Sequence, residues 1–104
     1  MTVTESYFAI NRRVTAPREL VFQAWTDPEL VSRWYRGSPI VYHEVEPPSR
    51  IVFTTDGPDL EIVTLSEVDG HTVMTFEGSA PEDEAEDAER SWSATLDRLI
   101  AGLR

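Results

Sequence analysis

The chain has 104 residues, of which 40% are hydrophobic, close to the size of one globular domain. It contains no cysteine, which excludes disulfides and thiolate metal sites, and its nine basic residues, all arginine, face 19 acids for a net charge of −10. Nucleic-acid binders neutralise phosphates with a basic surface, so this charge predicts no nucleic-acid partner.

The first predicted element is a strand over residues 5–14. Within it, Phe8, Ile10 and Val14 fall on one face at a period of two, and Arg12 interrupts that face. Two short helices are predicted next, over residues 18–25 and 29–36, because apolar residues recur there at helical spacing.

The boundaries of these helices carry their own signals. Pro17 suits the first turn of a helix, which tolerates a missing N–H. The pair Asp27-Pro28 ends the first helix and caps the second, and Gly37 ends the second.

From Ile40 onward the apolar residues alternate, which predicts consecutive strands. The predicted strands cover about residues 40–46, 50–55, 59–67 and 71–78. Turn residues separate them at Pro47-Pro48-Ser49, Asp56-Gly57-Pro58 and Asp69-Gly70. Short links between successive strands indicate antiparallel neighbours.

After Pro81 the sequence predicts one long amphipathic helix of about six turns. Its apolar stripe consists of Ala85, Ala88, Trp92, Leu96, Leu99, Ile100 and Leu103. The acidic run over residues 82–89 is interpreted as a solvated helix start favoured by the helix dipole, rather than as a cation site. The fold class is therefore α+β, with one antiparallel sheet covered by the long helix.

These elements resemble a known family. The run "APRELVFQAWTDPELVSRWYRG", the "EVEPPSRIVFT" hairpin and the closing "SWSATLDRL" helix are similar to the AHSA1-like (activator of Hsp90 ATPase homologue) branch of the START/Bet v 1-like (SRPBCC) helix-grip superfamily. The resemblance covers residues 4–103 and implies a curved antiparallel sheet that grips the C-terminal helix. Only residues 35–44 separate Trp34 from Val45, so we expect the family's first β-hairpin to be missing and about five strands to remain.

A shortened sheet has consequences for partners. The strands over residues 5–14 and 40–46 become sheet edges with unpaired backbone groups. We therefore expect a homodimer formed through one exposed edge. No stretch approaches the roughly 20 apolar residues of a membrane span, and the N-terminus lacks a secretory signal. We expect a single cytoplasmic domain, residues 1–104, with no membrane partner.

The family's apolar cavity between sheet and helix suggests a set of ligand-binding residues. The predicted set is Arg12, Trp25, Trp34, Tyr42, Phe53, Phe76, Trp92 and Leu96. The alternative for each aromatic residue is that it fills the core. Trp92 is the best candidate, because the resemblance places its helix across the cavity mouth.

Arg12 leaves three interpretations open, because an inward charge is costly unless it is paired. It pairs with an internal acid such as Glu44 or Glu61, it lies at the sheet rim, or it contacts an anionic ligand. His43 and His71 are interpreted as surface strand residues. No cofactor or metal site is predicted.

Three functions are compatible with this sequence. The first is non-catalytic binding of a small apolar or amphipathic ligand between the sheet and the C-terminal helix. The second is a protein-interaction module of the Hsp90-activator type. The third is a cyclase-type enzyme, which needs a polar group with a perturbed pKa facing a cavity. No catalytic constellation is visible in the sequence, which favours the first.

Overall fold

The computed structural model describes residues 4–103. Its elements follow the predicted order, strand, two helices, four strands and one helix. They are β1 (Glu5–Val14), α1 (Arg18–Thr26), α2 (Pro28–Trp34), β2 (Val41–Glu46), β3 (Arg50–Thr54), β4 (Glu61–Val68), β5 (His71–Pro81) and α3 (Ala85–Gly102).

The boundary between α1 and α2 is set by the predicted capping residue. The Asp27 carboxylate accepts a hydrogen bond from the Glu29 backbone N–H at 3.0 Å, and Pro28 occupies the first turn of α2. This cap satisfies one of the N–H groups that a helix start leaves without a partner. The α2 helix is shorter than predicted and ends at Trp34.

The five strands form one sheet in the order β1-β5-β4-β3-β2, with every pair antiparallel. Asp69 and Gly70, which form the β4–β5 turn, both have positive φ, at 50° and 84°. Two consecutive residues with positive φ give a turn whose twist matches that of the two strands of a tight hairpin. The first strand pairs with the last, so β1 and β2 are the two sheet edges, as predicted.

The C-terminal helix begins later than predicted. β5 continues to Pro81, which pairs with Glu5, and the Glu82 N–H then donates to the Thr4 carbonyl at 2.8 Å. Sheet hydrogen bonding therefore holds the chain extended up to residue 82, and a turn follows. As a result α3 starts at Ala85 and has 18 residues, or about five turns.

The helices cover one face of the sheet and bury the core there. The core residues come from both the sheet and the helices. They include Ile10, Val14, Val21, Trp25, Ile51, Phe53, Val63, Leu65, Met74, Phe76, Leu96 and Leu99. The α3 helix packs mainly against β1, β5 and α2. All six residues of β2 are exposed, so the β2 end of the sheet extends beyond the helices. Among the described helices, none is long and apolar enough to cross a membrane.

Candidate ligand-binding site

The space between the sheet and the helices is filled by aromatic rings. Trp25 and Trp34 meet edge to face with ring centroids 4.8 Å apart, and Phe76 and Trp92 lie 4.4 Å apart. Phe53 contacts Trp25 at 5.6 Å and Trp92 at 6.0 Å. Such pairs stabilise a core beyond their burial alone.

The polar atoms of these rings are also satisfied inside the protein. The Trp34 indole N–H donates to the Ala24 carbonyl at 2.9 Å. The Trp25 indole N–H points at the Met74 sulfur at 3.3 Å. These bonds fix both indoles in the core and leave neither N–H available to a ligand.

The structure divides the predicted ligand-binding residues into two groups. Trp25, Trp34, Phe53, Phe76 and Leu96 are buried core side chains. The other three reach the surface. Trp92 is half-buried, Tyr42 is exposed, and Arg12 is partly exposed. Only the members of the second group are accessible to a ligand in this conformation.

Trp92 lies on an open recess of about 320 Å³ between α3 and the segment that follows α2. We call this the helix-side recess. It is lined by Tyr35, Arg36, Gly37, Ser38, Thr55, Ser91, Trp92, Thr95 and Arg98. The Tyr35 and Trp92 rings are nearly parallel there, with centroids 6.1 Å apart. An open mixed surface of this size suits a small amphipathic molecule.

A second open recess, of about 350 Å³, lies on the other side of Tyr35. We call this the edge recess. Val31, Ile40 and Tyr42 line it together with Tyr35. The Tyr42 hydroxyl donates to the Trp25 carbonyl at 2.6 Å, which holds that ring across the gap between β2 and α1.

Tyr35 separates the two recesses, and Gly37 permits its position. The Tyr35 hydroxyl donates to the Ser38 carbonyl at 2.5 Å, so its ring folds back over the backbone. A Cβ at position 37 would lie 2.5 Å from the Tyr35 hydroxyl oxygen. A side chain at position 37 would therefore require the Tyr35 ring to move. Gly37 does not end α2 as predicted, because the helix stops at Trp34 and Tyr35 is its C-cap.

Glu61 is a buried acid on the core face of the sheet. It pairs with Phe53 across the β3–β4 ladder, which places its side chain on the same face as the Phe53 ring. Its exposed fraction is 7%. Among residues 4–103, its Oε2 atom is buried without a hydrogen-bond partner. A buried polar atom without a partner is unusual in a native structure, and Arg18 Nε and His71 Nε2 share this property among the described residues.

The environment of Glu61 shifts its protonation. Burial, followed by the negative charge of Asp59, raises the pKa of Glu61 to about 7 from the ordinary value of 4.5. Burial also raises the pKa of the Tyr35 hydroxyl, and the charge of Glu61 adds to this while the Thr55 side chain opposes it. Glu61 itself does not line the helix-side recess; it faces Phe53 across the ladder, and Thr55, two residues after Phe53, is a lining residue.

Sequence reasoning named Glu61 only as a partner for Arg12, and it missed Tyr35, Thr55 and Arg98. The available signal was the alternation of β4, in which Glu61 shares a face with Val63 and Leu65. An acid in phase with buried residues indicates an inward carboxyl group.

Arg12 pairs with neither Glu44 nor Glu61. Its guanidinium donates to the Asp97 carboxylate at 3.1 Å and to the Ser93 hydroxyl, and both acceptors lie on α3. Glu44 instead accepts from Arg50 at 2.6 Å. Arg12 thus ties β1 to α3, with the ion pair partly open to water.

The two histidines lie apart from the recesses. His43 is exposed beside the Thr54 hydroxyl, as predicted, whereas His71 is half-buried. No cluster of three or more potential metal ligands occurs between residues 4 and 103.

An open antiparallel sheet that grips a C-terminal helix, with a recess at the helix side, defines the helix-grip class of α+β domain. The sequence pattern of the family described as "Activator of Hsp90 ATPase homolog 1-like protein" matches residues 15–41 and 35–103. The chain belongs to this family. The described chain has no strand between Trp34 and Val41, in agreement with the shortened form expected. No curated protein sequence is significantly similar to the chain.

Solved structures share this fold at low sequence identity. The AHSA1-like protein from Aeromonas hydrophila has a TM-score of 0.84 at 17% identity, over 94% of this chain and 92% of that one. CalU16 from Micromonospora echinospora has a TM-score of 0.82 at 24% identity, over 94% of this chain and 74% of that one. DynU16, a protein of the dynemicin biosynthetic locus, has a TM-score of 0.81 at 23% identity, over 93% of this chain and 46% of that one.

Proposed function

We propose that this protein binds a small apolar or amphipathic molecule in the helix-side recess without transforming it. The observation that carries the proposal is the open recess in which the Tyr35 and Trp92 rings form an apolar wall among polar side chains, including those of Arg36 and Arg98. In small-molecule sites, aromatic walls supply contact area and polar groups fix the orientation of the ligand.

The ligand position differs from the one expected from the sequence. The rings of Trp25, Phe53 and Phe76 occupy the interior, so a ligand lies at the mouth between the sheet and α3 rather than deep between them. Trp92 remains a ligand-contact residue in this proposal, because its ring packs against Phe76 in the core and also lines the recess.

The test is a thermal-shift screen with a panel of lipids and aromatic biosynthetic compounds. The aromatic biosynthetic compounds are included because DynU16, which has a similar fold, comes from a biosynthetic locus. A ligand at 100 times its Kd stabilises the native state by about 2.7 kcal/mol, which such a screen detects.

Two variants locate the site and one controls for nonspecific effects. Trp92→Ala removes a wall of the recess, and Ser91→Tyr fills the recess while leaving the core rings intact. Both should abolish the ligand-induced shift. Tyr7→Ala is the matched control, since Tyr7 is 81% exposed on β1 and lines neither recess. A panel without a stabilising ligand, or a shift that persists in both recess variants, would contradict the proposal.

A cyclase-type enzyme is the second candidate, and Glu61 favours it. A carboxyl group with a pKa of about 7 is poised to donate or accept a proton near neutral pH. A ligand found in the thermal-shift screen also separates the binding protein from the enzyme. The bound molecule is recovered after prolonged incubation and its mass is measured. An unchanged mass supports a binding protein, whereas loss of water that disappears in Glu61→Gln supports the enzyme.

The interaction module of the Hsp90-activator type rests on the family resemblance and the net charge of −10. Its partner would present a basic surface, and the complex would dissociate in modest salt because the charges are screened over about 10 Å at 0.1 M. Neither recess is needed for such a contact.

A further inference from the structure

The charged residues that line the helix-side recess are both cations. Arg36 lies just after α2 and Arg98 lies on α3, and within the described part of the chain no acid lines the recess. The ion pairs found between residues 4 and 103 involve other arginines, so no carboxylate there neutralises either guanidinium group. In a chain with a net charge of −10, the recess is therefore a locally positive site.

The guanidinium group of Arg98 is held in place from two walls of the recess. Its Nε–H donates to the Trp34 carbonyl at the end of α2, and a terminal N–H donates to the Thr95 hydroxyl on α3, each at 3.1 Å. Thr95 is buried and donates in turn to the Ser91 carbonyl at 3.0 Å. Because these bonds position the guanidinium group before a ligand arrives, little side-chain freedom is lost on binding.

Both arginines keep hydrogen-bond donors for a ligand. A guanidinium group has five N–H donors, and the two bonds of Arg98 leave three of them without an acceptor among residues 4–103. Arg36 uses one donor, to the Ser32 carbonyl at 3.1 Å, which leaves four. The planar fork of a guanidinium group matches the two oxygens of a carboxylate. An anionic group therefore finds both charge and donors here.

The acids nearest to the recess favour one orientation of such a ligand. Asp56 follows the lining residue Thr55, and its charge, like that of Glu61, raises the pKa of Tyr35. Repulsion from these two acids disfavours an anionic group beside Thr55. The Tyr35 and Trp92 rings, 6.1 Å apart between centroids, offer contact area to an apolar body instead.

We infer that the helix-side recess binds an aromatic carboxylate, with the carboxylate group on Arg36 and Arg98 and the ring against Tyr35 and Trp92. This inference rests on the proposed function and names its ligand class. Charge-assisted bonds from arginine to a carboxylate are about twice as strong as bonds between neutral groups. A cationic ligand would meet two guanidinium groups and no carboxylate among the lining residues that the structure describes.

Three probes with the same phenylpropyl skeleton separate charge from apolar contact. They are hydrocinnamate, its primary amide and the corresponding primary amine, which present an anion, a neutral group and a cation. Binding is followed by NMR titration of the tryptophan indole N–H signals of the whole chain, since Trp92 lines the recess. The buffer contains about 0.1 M salt, so that the net charge is screened beyond about 10 Å. We expect hydrocinnamate to bind about tenfold more tightly than the amide, a difference of about 1.4 kcal/mol, and the amine to bind most weakly.

Substitution of single arginines assigns the preference. Arg36→Gln and Arg98→Gln should each weaken hydrocinnamate binding about threefold, half of the tenfold effect in free energy, and leave amide binding unchanged. Arg36→Gln decides the matter even if Arg98→Gln loosens α2 from α3, because Arg36 bonds only to the preceding turn. Arg13→Gln is the matched control, since it removes the same charge from an exposed residue of β1 that lines neither recess, and the preference should persist.

The outcomes distinguish this inference from the function on which it rests. Equal affinities for hydrocinnamate and its amide, both abolished by Ser91→Tyr, would overturn the role of the arginines and leave the recess as a ligand site. A preference for hydrocinnamate that persists in both Arg36→Gln and Arg98→Gln would also overturn it. If no probe binds while the thermal-shift screen finds a ligand of another class, the inference fails and the proposed function stands. If the screen finds no ligand either, both fail together.

Discussion

At the scale of single residues, Glu61 links stability to pH. A carboxyl group whose pKa is higher in the folded state than in the unfolded state holds its proton longer when folded. Between pH 4.5 and about 7, Glu61 therefore binds more proton in the native protein than in the unfolded chain. The contribution of Glu61 to stability falls as pH rises through this window and levels off above it.

Glu61→Gln should remove this dependence. Near pH 5 the variant and the parent protein should be about equally stable, because Glu61 is protonated in the native state. At pH 8 the variant should be more stable by on the order of 2 kcal/mol, since the parent then carries a buried charge. Urea unfolding at both pH values measures the difference. Glu67→Gln should show no such dependence, and an equal effect of Glu61→Gln at both pH values would contradict the assignment.

The sequence indicated that Glu61 is internal but not what surrounds it. The period of two in β4 places the acid in phase with Val63 and Leu65, which is a local pattern. Its cross-strand partner Phe53 comes from β3, and the register that pairs these two residues is not encoded in the periodicity of either strand. The same holds for Arg12, whose partner Asp97 lies 85 positions away.

At the scale of elements, α3 is held mainly by its apolar stripe. Leu96 and Leu99 are buried in the core, whereas the Arg12–Asp97 ion pair has Asp97 largely open to water. Exposed pairs contribute about 0–1 kcal/mol. The stripe was predictable from its helical spacing. The start of α3 was not, because the extension of β5 to Pro81 depends on pairing with β1 at the other end of the chain.

Leu96→Ala should therefore destabilise the protein by about 2–5 kcal/mol, the usual cost of a cavity left by a core leucine. Arg12→Ala should cost about 1 kcal/mol or less. Leu60→Ala serves as the control for the leucine change, because Leu60 is 50% exposed, and its effect should be small. Chemical denaturation of the three variants gives the loss in the free energy of unfolding for each. A larger loss in Arg12→Ala than in Leu96→Ala would contradict the conclusion that the apolar stripe holds α3.

At the scale of the whole molecule, the open edge of β2 is the surface through which we propose that two copies associate. Within residues 4–103, β2 pairs only with β3, and its exposed side chains include Val41, Tyr42 and Val45. An unpaired, partly apolar edge is a template for another strand. Glu46 on the same strand, together with the net charge of −10, opposes this association at low salt.

We expect light scattering at tens of micromolar to show a dimer, and the dimer fraction to rise with salt as the repulsion is screened. Val45→Glu should shift the protein to monomer by adding a further negative charge to the edge. Val68→Glu provides the control, because Val68 is similarly exposed but lies at the end of β4 beside the hairpin turn. A parent protein that stays monomeric at every salt concentration would exclude the edge interaction.

The uneven cover of the sheet has a consequence for motion. β4 and β5 are paired on both sides, and helices cover the core face of β5, while β2 is bonded on one side only and has no buried residue. Strands with few buried contacts open locally at low free energy. In deuterium oxide, at a concentration low enough to keep the protein monomeric, amide protons of β2 should exchange first and those of β4 and β5 last. The wall of the edge recess that Tyr42 provides would then open and close while the rest of the molecule stays folded.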